Sequence, residues 1–272
     1  MRVVSNDLDE AWAGSLAYVV LRLDGGRVER VREVGDLDAV RPGASISKMA
    51  VALAFGVELD WNLHAYHEVV GPSGANFANL LSHSSGLGLE EGDPRVPIAT
   101  KRVYSNYGVD LAVSSIVGEN SPAQWLDYRV FSPLGMSTTA LLDRPAAGVS
   151  GSTNDLATMA VAWLRGDGVT VETRDLMIRP YLPDLAGIVP GCGRFTPCPW
   201  GMGPEVRGDK SHWMGDWPPS SFGHFGQSGS ILLANAHEKI GVVATTTEPF
   251  GRWAVDLWPA WTSAQRAIAL AS

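Results

Sequence analysis

Residues 42–52, with the sequence PGASISKMAVA, place two serines and a lysine where a turn-favouring Pro-Gly pair gives way to a helical pattern. Residues three apart lie on one face of a helix, so we expect Ser45 and Lys48 side by side, with Ser47 turned away. A serine beside a lysine can become a nucleophile if burial lowers the pKa of the amine. The alternative is a helix cap next to a solvated lysine. Because Ser-x-x-Lys alone favours that alternative, the motif needs companions.

Outward from this stretch, strand-like patterns lie at both ends of the chain and helical patterns lie between them. Residues 15–35 hold two apolar runs around an Asp-Gly-Gly turn, which predicts a β-hairpin. The whole order predicts an α/β (α+β) fold, with an antiparallel sheet built from both termini, flanked by helices, and an inserted mainly helical domain. We expect residues 1–40 and 195–272 to form the α/β sheet domain and residues 41–194 the helical domain, with the active site at the interface.

Local signals set the ends of two helices. The cluster STND at residues 152–155 predicts a capped helix that ends at the glycine after Arg165. The closing segment, residues 253–272, predicts a helix that is interrupted or restarts at Pro259.

Charge limits the partners of the chain. A formal net charge of −8 argues against nucleic acid or an anionic membrane surface, because both would repel the protein. The first ten residues, MRVVSNDLDE, carry acidic side chains where a signal peptide needs an apolar core. No later apolar run approaches the roughly 18 residues of a membrane span. We therefore expect a cytoplasmic protein without a nucleic-acid or membrane partner, whose oligomeric state stays open.

Two further motifs accompany the serine and the lysine. YSNYG supplies Tyr104 and Asn106 at the start of a helical pattern, and GHFGQSGS supplies His224 and Gly226 before an apolar strand. Together they resemble the motif set of the serine β-lactamase and penicillin-binding-protein superfamily, in its class C β-lactamase and D,D-peptidase-like branch. LLSHSSGL, VFSPLGMSTT and STNDLATMAVAWL also resemble segments of that family, so the chain is identified as a compact member.

The resemblance implies roles for the first two motifs. Ser45 would be the acyl-accepting nucleophile, and Lys48 would help to deprotonate it. Tyr104 would carry the proton to the leaving group, with its phenolate form favoured by the nearby Lys48. Asn106 would hydrogen-bond the substrate or orient Lys48.

The third motif would complete the site. The backbone N–H groups of Ser45 and Gln227 would form the oxyanion hole. His224 stands where class C β-lactamases have a lysine, as in D,D-peptidase-like and esterase-like members. Gly226 would leave space for substrate beside the strand. The family implies no cofactor and no metal.

The implied function is that of a serine hydrolase or acyltransferase that cleaves a small ester or amide through an acyl-Ser45 intermediate. His224 and the cytoplasmic expectation place esterase or amidase activity above β-lactamase or D,D-peptidase activity. Two alternatives remain open. One is a transacylase of specialised metabolism that passes the acyl group to an amine or alcohol, and the other is a non-catalytic binding module.

Other residues allow simpler interpretations. Trp213 and Trp217 precede the third motif and would form either a loop folded over the sheet or an aromatic wall of the pocket. The acidic run that begins at Glu90 is most simply a solvated loop. His64 and His67 have no further ligand at metal spacing and are expected at the surface.

The two cysteines, Cys192 and Cys198, lie six residues apart in a loop rich in glycine and proline. They could in principle form a disulfide. In a cytoplasmic protein we expect free thiols.

Overall fold

The structure, a computed structural model, describes residues 16–271. The N-terminal segment on which the cytoplasmic prediction depends lies outside these residues. The strands are β1 (Ala17–Asp24), β2 (Arg27–Val34), β3 (Val40–Ala44), β4 (Ala140–Leu141), β5 (Val149–Ser152), β6 (Gly187–Val189), β7 (Gly193–Phe195), β8 (Glu205–Val206), β9 (Phe222–Phe225), β10 (Ile231–Asn235) and β11 (Ile240–Thr245). Six of them form an antiparallel sheet in the order β2-β1-β11-β10-β9-β8, which brings both ends of the chain together.

Helices surround this sheet. They are α1 (Ser47–Asp60), α2 (Phe77–Leu81), α3 (Asn106–Val117), α4 (Pro122–Leu126), α5 (Thr153–Arg165), α6 (Val171–Ile178) and α7 (Arg252–Ala271), with a 3-10 turn at Pro72–Gly74 and a π-helical turn at Asp127–Phe131. Two small antiparallel sheets, β3-β5-β4 and β6-β7, complete the architecture. The predicted α/β (α+β) fold, an antiparallel sheet flanked by helices, is confirmed.

The sheet is buried on both faces. Along β1, Val19 and Leu21 belong to the core on the side of α1 and α5, while Tyr18 and Val20 belong to the core on the side of α7. This alternation follows from the two-residue period of a strand. The Tyr18 ring meets the ring of Trp261 on α7 edge to face, with centroids 5.2 Å apart.

The predicted hairpin joins β1 and β2 through Gly25 and Gly26. Both glycines have positive φ angles, +53° and +85°, as a two-residue turn between twisted strands requires. The predicted cap is also present, because the Ser152 hydroxyl accepts a hydrogen bond from the Asp155 N–H at 3.1 Å. Gly166 ends α5 in the left-handed conformation.

The predicted break at Pro259 is wrong. The helix α7 runs from Arg252 to Ala271 with Pro259 inside it. Proline removes one backbone hydrogen bond and crowds the preceding turn. Trp258 and Trp261 on either side of it are fully buried against the sheet, and this packing keeps the helix continuous.

The helix α1 is buried over nearly its whole length and carries apolar residues on all sides. Its first residue, Ser47, is tied to the small sheet: the hydroxyl donates to the Ala44 carbonyl at 2.6 Å and accepts from the Val149 N–H at 2.8 Å. Ala44 has a φ of 47°, a value uncommon for a residue with a side chain. These contacts fix the turn that presents Ser45 two residues before the helix.

The domain division remains a proposal. Residues 41–194 contain most of the helices, but α5 from that segment packs on β1, β10 and β11 of the large sheet. Among residues 16–271, no helix is long and apolar enough to cross a membrane.

Candidate active site

A cavity of about 230 Å³ opens where the turn before α1, the start of α3 and the end of β9 meet. We call this space the serine cavity. It is lined by Ser45, Leu89, Tyr104, Asn106, Pro190, His224, Phe225 and Gln227. The structure thus brings the three motifs together from distant parts of the chain. Lys48 lies beneath the cavity and is almost completely buried.

The Lys48 amine has three neighbours. Its Nζ lies 2.8 Å from Asn106 Oδ1, 2.9 Å from the Ala146 carbonyl oxygen and 3.4 Å from Ser45 Oγ. Burial lowers the pKa of Lys48 to about 7, so a substantial fraction is uncharged at neutral pH. A neutral amine has two N–H groups and one lone pair. When Asn106 and Ala146 accept the two N–H groups, the lone pair is directed to Ser45.

Tyr104 lies on the other side of the serine. Its hydroxyl donates to Ser45 Oγ at 2.8 Å, and Lys48 Nζ is 4.7 Å from the centre of its ring. Burial raises the pKa of Tyr104 above its ordinary value. Burial is the main cause of this rise, while the hydrogen bond to Ser45 opposes it, so this environment favours a protonated phenol over the phenolate that the resemblance implies.

A network of charged side chains, which the sequence motifs did not predict, positions the groups that bind Lys48. Asn106 Nδ2 donates to Glu90 Oε1 at 2.9 Å, and Arg144 forms ion pairs with both Glu90 and Asp110. Asp110 Oδ1 accepts the Ala146 N–H at 2.8 Å. Both oxygens that hold the lysine are thus positioned by carboxylates. The Glu90 side chain is 43% exposed, so the acidic run is solvated as the sequence suggested, but Glu90 also takes part in this network. The sequence did contain one indication of this network: Asp110 follows Asn106 by four residues, so both lie on one face of α3.

His224 brings no positive charge to the cavity. The ring is buried, and its Nδ1 donates to the Phe225 carbonyl oxygen at 2.7 Å, which leaves Nε2 as an acceptor without a partner in the described part of the chain. Burial, and next the neighbouring Lys48, lower the pKa of His224 to about 3. The histidine is therefore neutral at physiological pH and differs in charge from a lysine at this position.

Backbone groups at the end of β9 complete the site. Among the described residues, neither the Ser45 N–H nor the Gln227 N–H donates a hydrogen bond, so both are available to an oxyanion. The structure indicates why position 226 requires a glycine, and the reason is not space for substrate. A Cβ atom there would lie 2.2 Å from the Gly43 carbonyl oxygen and 2.5 Å from Ser230 Oγ. The glycine allows β9 to pack directly on the turn that carries Ser45.

Trp213 and Trp217 do not line the serine cavity, so the aromatic-wall interpretation is wrong. Each is 1% exposed and lies in the core beneath α7. Their indole N–H groups donate to Glu205 and to the Thr262 carbonyl, both at 2.8 Å. The loop interpretation was the better one, because the rings are large apolar surfaces that the sheet and α7 can bury together.

Three rings other than those of Trp213 and Trp217 surround the ring of Tyr104. The rings of His83, Trp200 and His224 lie 4.6, 6.0 and 5.9 Å from the Tyr104 ring. His83 is a scaffold residue whose Nδ1 accepts the Ser105 N–H at 3.2 Å. This packing restricts the Tyr104 ring to one position over the serine.

The remaining candidates lie outside the cavity. His64 Nδ1 pairs with Glu68 at 3.0 Å. Across residues 16–271, no group of three histidine, cysteine or acidic side chains is arranged to hold a metal ion. Cys192 and Cys198 are free thiols, as expected, and burial raises the pKa of both.

An antiparallel sheet covered by helices on both faces, with a Ser-x-x-Lys segment at its border, defines the β-lactamase/transpeptidase-like class of proteins. The β-lactamase family model matches residues 17–265, and the chain belongs to this family. No curated protein matches the chain.

Solved structures agree with this assignment. A β-lactamase from Mycobacterium bovis is 32% identical, with a TM-score of 0.90, over 97% of this chain and 98% of that one. A variant of simvastatin synthase from Aspergillus terreus is 14% identical, with a TM-score of 0.77, over 99% and 94% of the two chains. EstCE1, a hydrolase with promiscuous acyltransferase activity, is 16% identical, with a TM-score of 0.74, over 95% and 96%. The last two share the fold at low identity.

Proposed function

We propose that the protein is a serine hydrolase that cleaves a small ester or amide through an acyl-Ser45 intermediate. One observation carries the proposal: Lys48 Nζ and the Tyr104 hydroxyl both lie within hydrogen-bond distance of Ser45 Oγ, at 3.4 and 2.8 Å. A serine hydroxyl needs a base to attack a carbonyl, and the leaving group needs an acid. The two neighbours of Ser45 supply one of each.

Acylation then proceeds in balanced steps. Lys48 takes the hydroxyl proton as Ser45 Oγ bonds to the substrate carbonyl carbon, and the N–H groups of Ser45 and Gln227 stabilise the oxyanion. When the tetrahedral intermediate collapses, Tyr104 gives its proton to the departing oxygen or nitrogen. The ammonium of Lys48 next to the ring returns a proton to the phenolate.

Deacylation uses the two residues in the same roles, with Lys48 as the base and Tyr104 as the acid. Water loses a proton to Lys48 and attacks the acyl carbon, and Tyr104 protonates Ser45 Oγ as the bond to the acyl group breaks. The ammonium of Lys48 then returns a proton to the Tyr104 phenolate. Both residues end the cycle as they began it, so no cofactor takes part in these steps.

The neutral His224 favours an ester or amide substrate over a β-lactam. β-Lactam antibiotics carry a carboxylate, and a cation near the third motif would attract it. Burial keeps His224 uncharged, with only an acceptor nitrogen left unpaired. A substrate hydroxyl or amide N–H that donates to Nε2 suits this group better.

Acyl transfer is the second candidate. Simvastatin synthase and the promiscuous hydrolase EstCE1 share the fold over nearly their whole lengths, which supports a transacylase on this scaffold. The acyl-enzyme would then react with an amine or alcohol in place of water. If the ratio of transfer product to hydrolysis product does not change with the concentration of an added amine, this candidate is excluded.

The decisive experiment is intact-mass analysis after exposure to a fluorophosphonate. We expect one adduct on the wild type, none on Ser45→Ala, and a full adduct on Ser228→Ala, whose serine lies near the site and hydrogen-bonds to Ser230. An adduct that persists in Ser45→Ala places the nucleophile elsewhere.

A parallel exposure to a penicillin tests the alternatives. A stable adduct would indicate a binding-protein role, and fast turnover would indicate a β-lactamase. The proposed function predicts neither.

A further inference from the structure

A second cavity adjoins the serine cavity and is larger. We propose that it binds an apolar arm of the substrate that ends in an anionic group, so that the enzyme prefers esters or amides with a carboxylate remote from the bond that is cleaved. This inference rests on the proposed function, which identifies the bond that is cleaved. Binding of the substrate arm in the second cavity can nevertheless be tested without catalysis.

The second cavity, here called the side cavity, has a volume of about 370 Å³. Its lining residues are Leu89, Lys101, Arg102, Val103, Tyr104, Ala186, Gly187, Ile188, Pro190 and Arg194. Leu89, Tyr104 and Pro190 also line the serine cavity, so the two spaces share a wall. A substrate whose carbonyl lies at Ser45 can therefore extend past these residues into the side cavity.

Most of the side cavity is apolar. Aliphatic groups come from the segment before Tyr104 and from β6, where Ile188 is 51% exposed. An exposed isoleucine at the mouth of a cavity offers apolar surface that no other part of the described chain covers. Burying a methylene chain there is favourable because it removes apolar surface from water.

Arg102 provides the floor but cannot receive an anion. Its guanidinium is buried and donates to the backbone carbonyls of Ser82, Tyr181, Leu182 and Cys198. Its backbone N–H donates to the Ala186 carbonyl at 2.8 Å. The donors of Arg102 are thus directed into the protein and are already used by backbone carbonyls.

Lys101 and Arg194 are the cations that remain. Both are exposed at the rim, and neither forms an ion pair with another residue in the part of the chain that the structure describes. No carboxylate is present among the lining residues. In a chain with a net charge of −8, two cations without partners beside an apolar cavity favour a ligand that is apolar along its length and anionic at its end.

The test uses Ser45→Ala, which binds but cannot be acylated. Calorimetric titration compares monomethyl esters of straight-chain dicarboxylic acids with the dimethyl esters of the same acids. We expect the monomethyl esters to bind about tenfold more tightly once the chain is long enough to reach the rim, equivalent to about 1.4 kcal/mol. The preference should shrink at high salt, because the cations are exposed.

Charge reversal identifies the residues. Adding Lys101→Glu and Arg194→Glu to Ser45→Ala should remove or invert the preference for the monomethyl ester, while the dimethyl ester binds as before. The matched control is Arg27→Glu, which reverses an exposed charge at the distant β1–β2 turn and should leave the preference intact. Thermal unfolding checks that each variant is folded.

Two outcomes would overturn the proposal: equal binding of both esters at every chain length, or a preference that survives the double reversal. Both are independent of acylation. Failure of the proposed function would instead appear as a wild type that the fluorophosphonate does not label.

Discussion

Lys48 Nζ lies 3.4 Å from Ser45 Oγ at a position where burial lowers the pKa of the lysine to about 7. The same burial raises the pKa of Tyr104. Near neutral pH a substantial fraction of the protein therefore combines a neutral amine with a neutral phenol, with the serine between them. This pattern supplies a base and an acid without a net charge in the cavity.

The first prediction concerns pH. Because only the neutral amine can accept the serine proton, kcat/KM for an activated ester should rise with pH and level off above an apparent pKa of about 7. The measurement is a pH-rate profile over the range in which the protein stays folded. A profile that is flat through neutral pH would show that Lys48 is not the base.

The second prediction concerns the two proton carriers. Lys48→Ala and Tyr104→Phe should each lower kcat/KM by roughly 10²–10⁴-fold, the usual contribution of a positioned acid or base. The matched control is Tyr107→Phe in α3, three residues after Tyr104, which should retain activity. Stopped assays with an aryl ester and circular dichroism would separate lost catalysis from lost folding. Wild-type turnover in either active-site variant would contradict the mechanism.

The sequence reveals this site because each motif is local. Ser45 lies just before α1, three residues from Lys48, and Tyr104 lies just before α3, two residues from Asn106, so short-range geometry is enough to pair them. The site residues that the sequence motifs did not predict contact each other across long separations in the sequence. Arg144 meets Glu90 and Asp110 only after the chain has folded, and no local pattern announces such a pair.

The same distinction explains the errors in the fold. The hairpin turn and the α5 caps depend on a few adjacent residues and were predicted correctly. The helix break at Pro259 was predicted from the local effect of proline, but the burial of the neighbouring tryptophans keeps the helix continuous. Trp213 and Trp217 could equally have faced a pocket or a core, because an aromatic side chain suits both.

The third prediction uses the charged network behind Lys48. Asp110 raises the pKa of Lys48 and Arg144 lowers it, so the variants should move the pH-rate profile in opposite directions. Asp110→Asn should shift the midpoint to lower pH, and Arg144→Gln should shift it to higher pH. Asp184→Asn, an exposed acid away from the network, serves as the control. A purely structural role would lower the rate without moving the midpoint.

The fourth prediction concerns a buried ion cluster. Glu205 is fully buried and binds Lys210 at 2.7 Å, His212 at 2.6 Å and Trp213 at 2.8 Å. Burial alone would raise the pKa of Glu205, but the two basic partners outweigh it and hold the pKa well below its usual range. Glu205→Gln should therefore cost about 3–5 kcal/mol in the free energy of unfolding, because it leaves a buried cation unpaired.

Chemical denaturation measures this loss. The matched control, Glu33→Gln on the exposed edge strand β2, should change the free energy of unfolding by about 0.5 kcal/mol or less. Equal effects at the two sites would show that the buried cluster does not stabilise the fold.

The fifth prediction separates the two roles considered for Gly226. If the glycine only leaves space for substrate, Gly226→Ala should raise KM and leave stability unchanged. An alanine Cβ at this position would lie 2.2 Å from the Gly43 carbonyl oxygen and 2.5 Å from Ser230 Oγ, so β9 must instead move away from the turn before α1. That movement would displace the Gln227 N–H from Ser45, so both kcat and the free energy of unfolding should fall. Gly251→Ala, whose nearest neighbour would be 3.5 Å away, should alter neither, and a Gly226→Ala variant of normal stability would return the glycine to the substrate role.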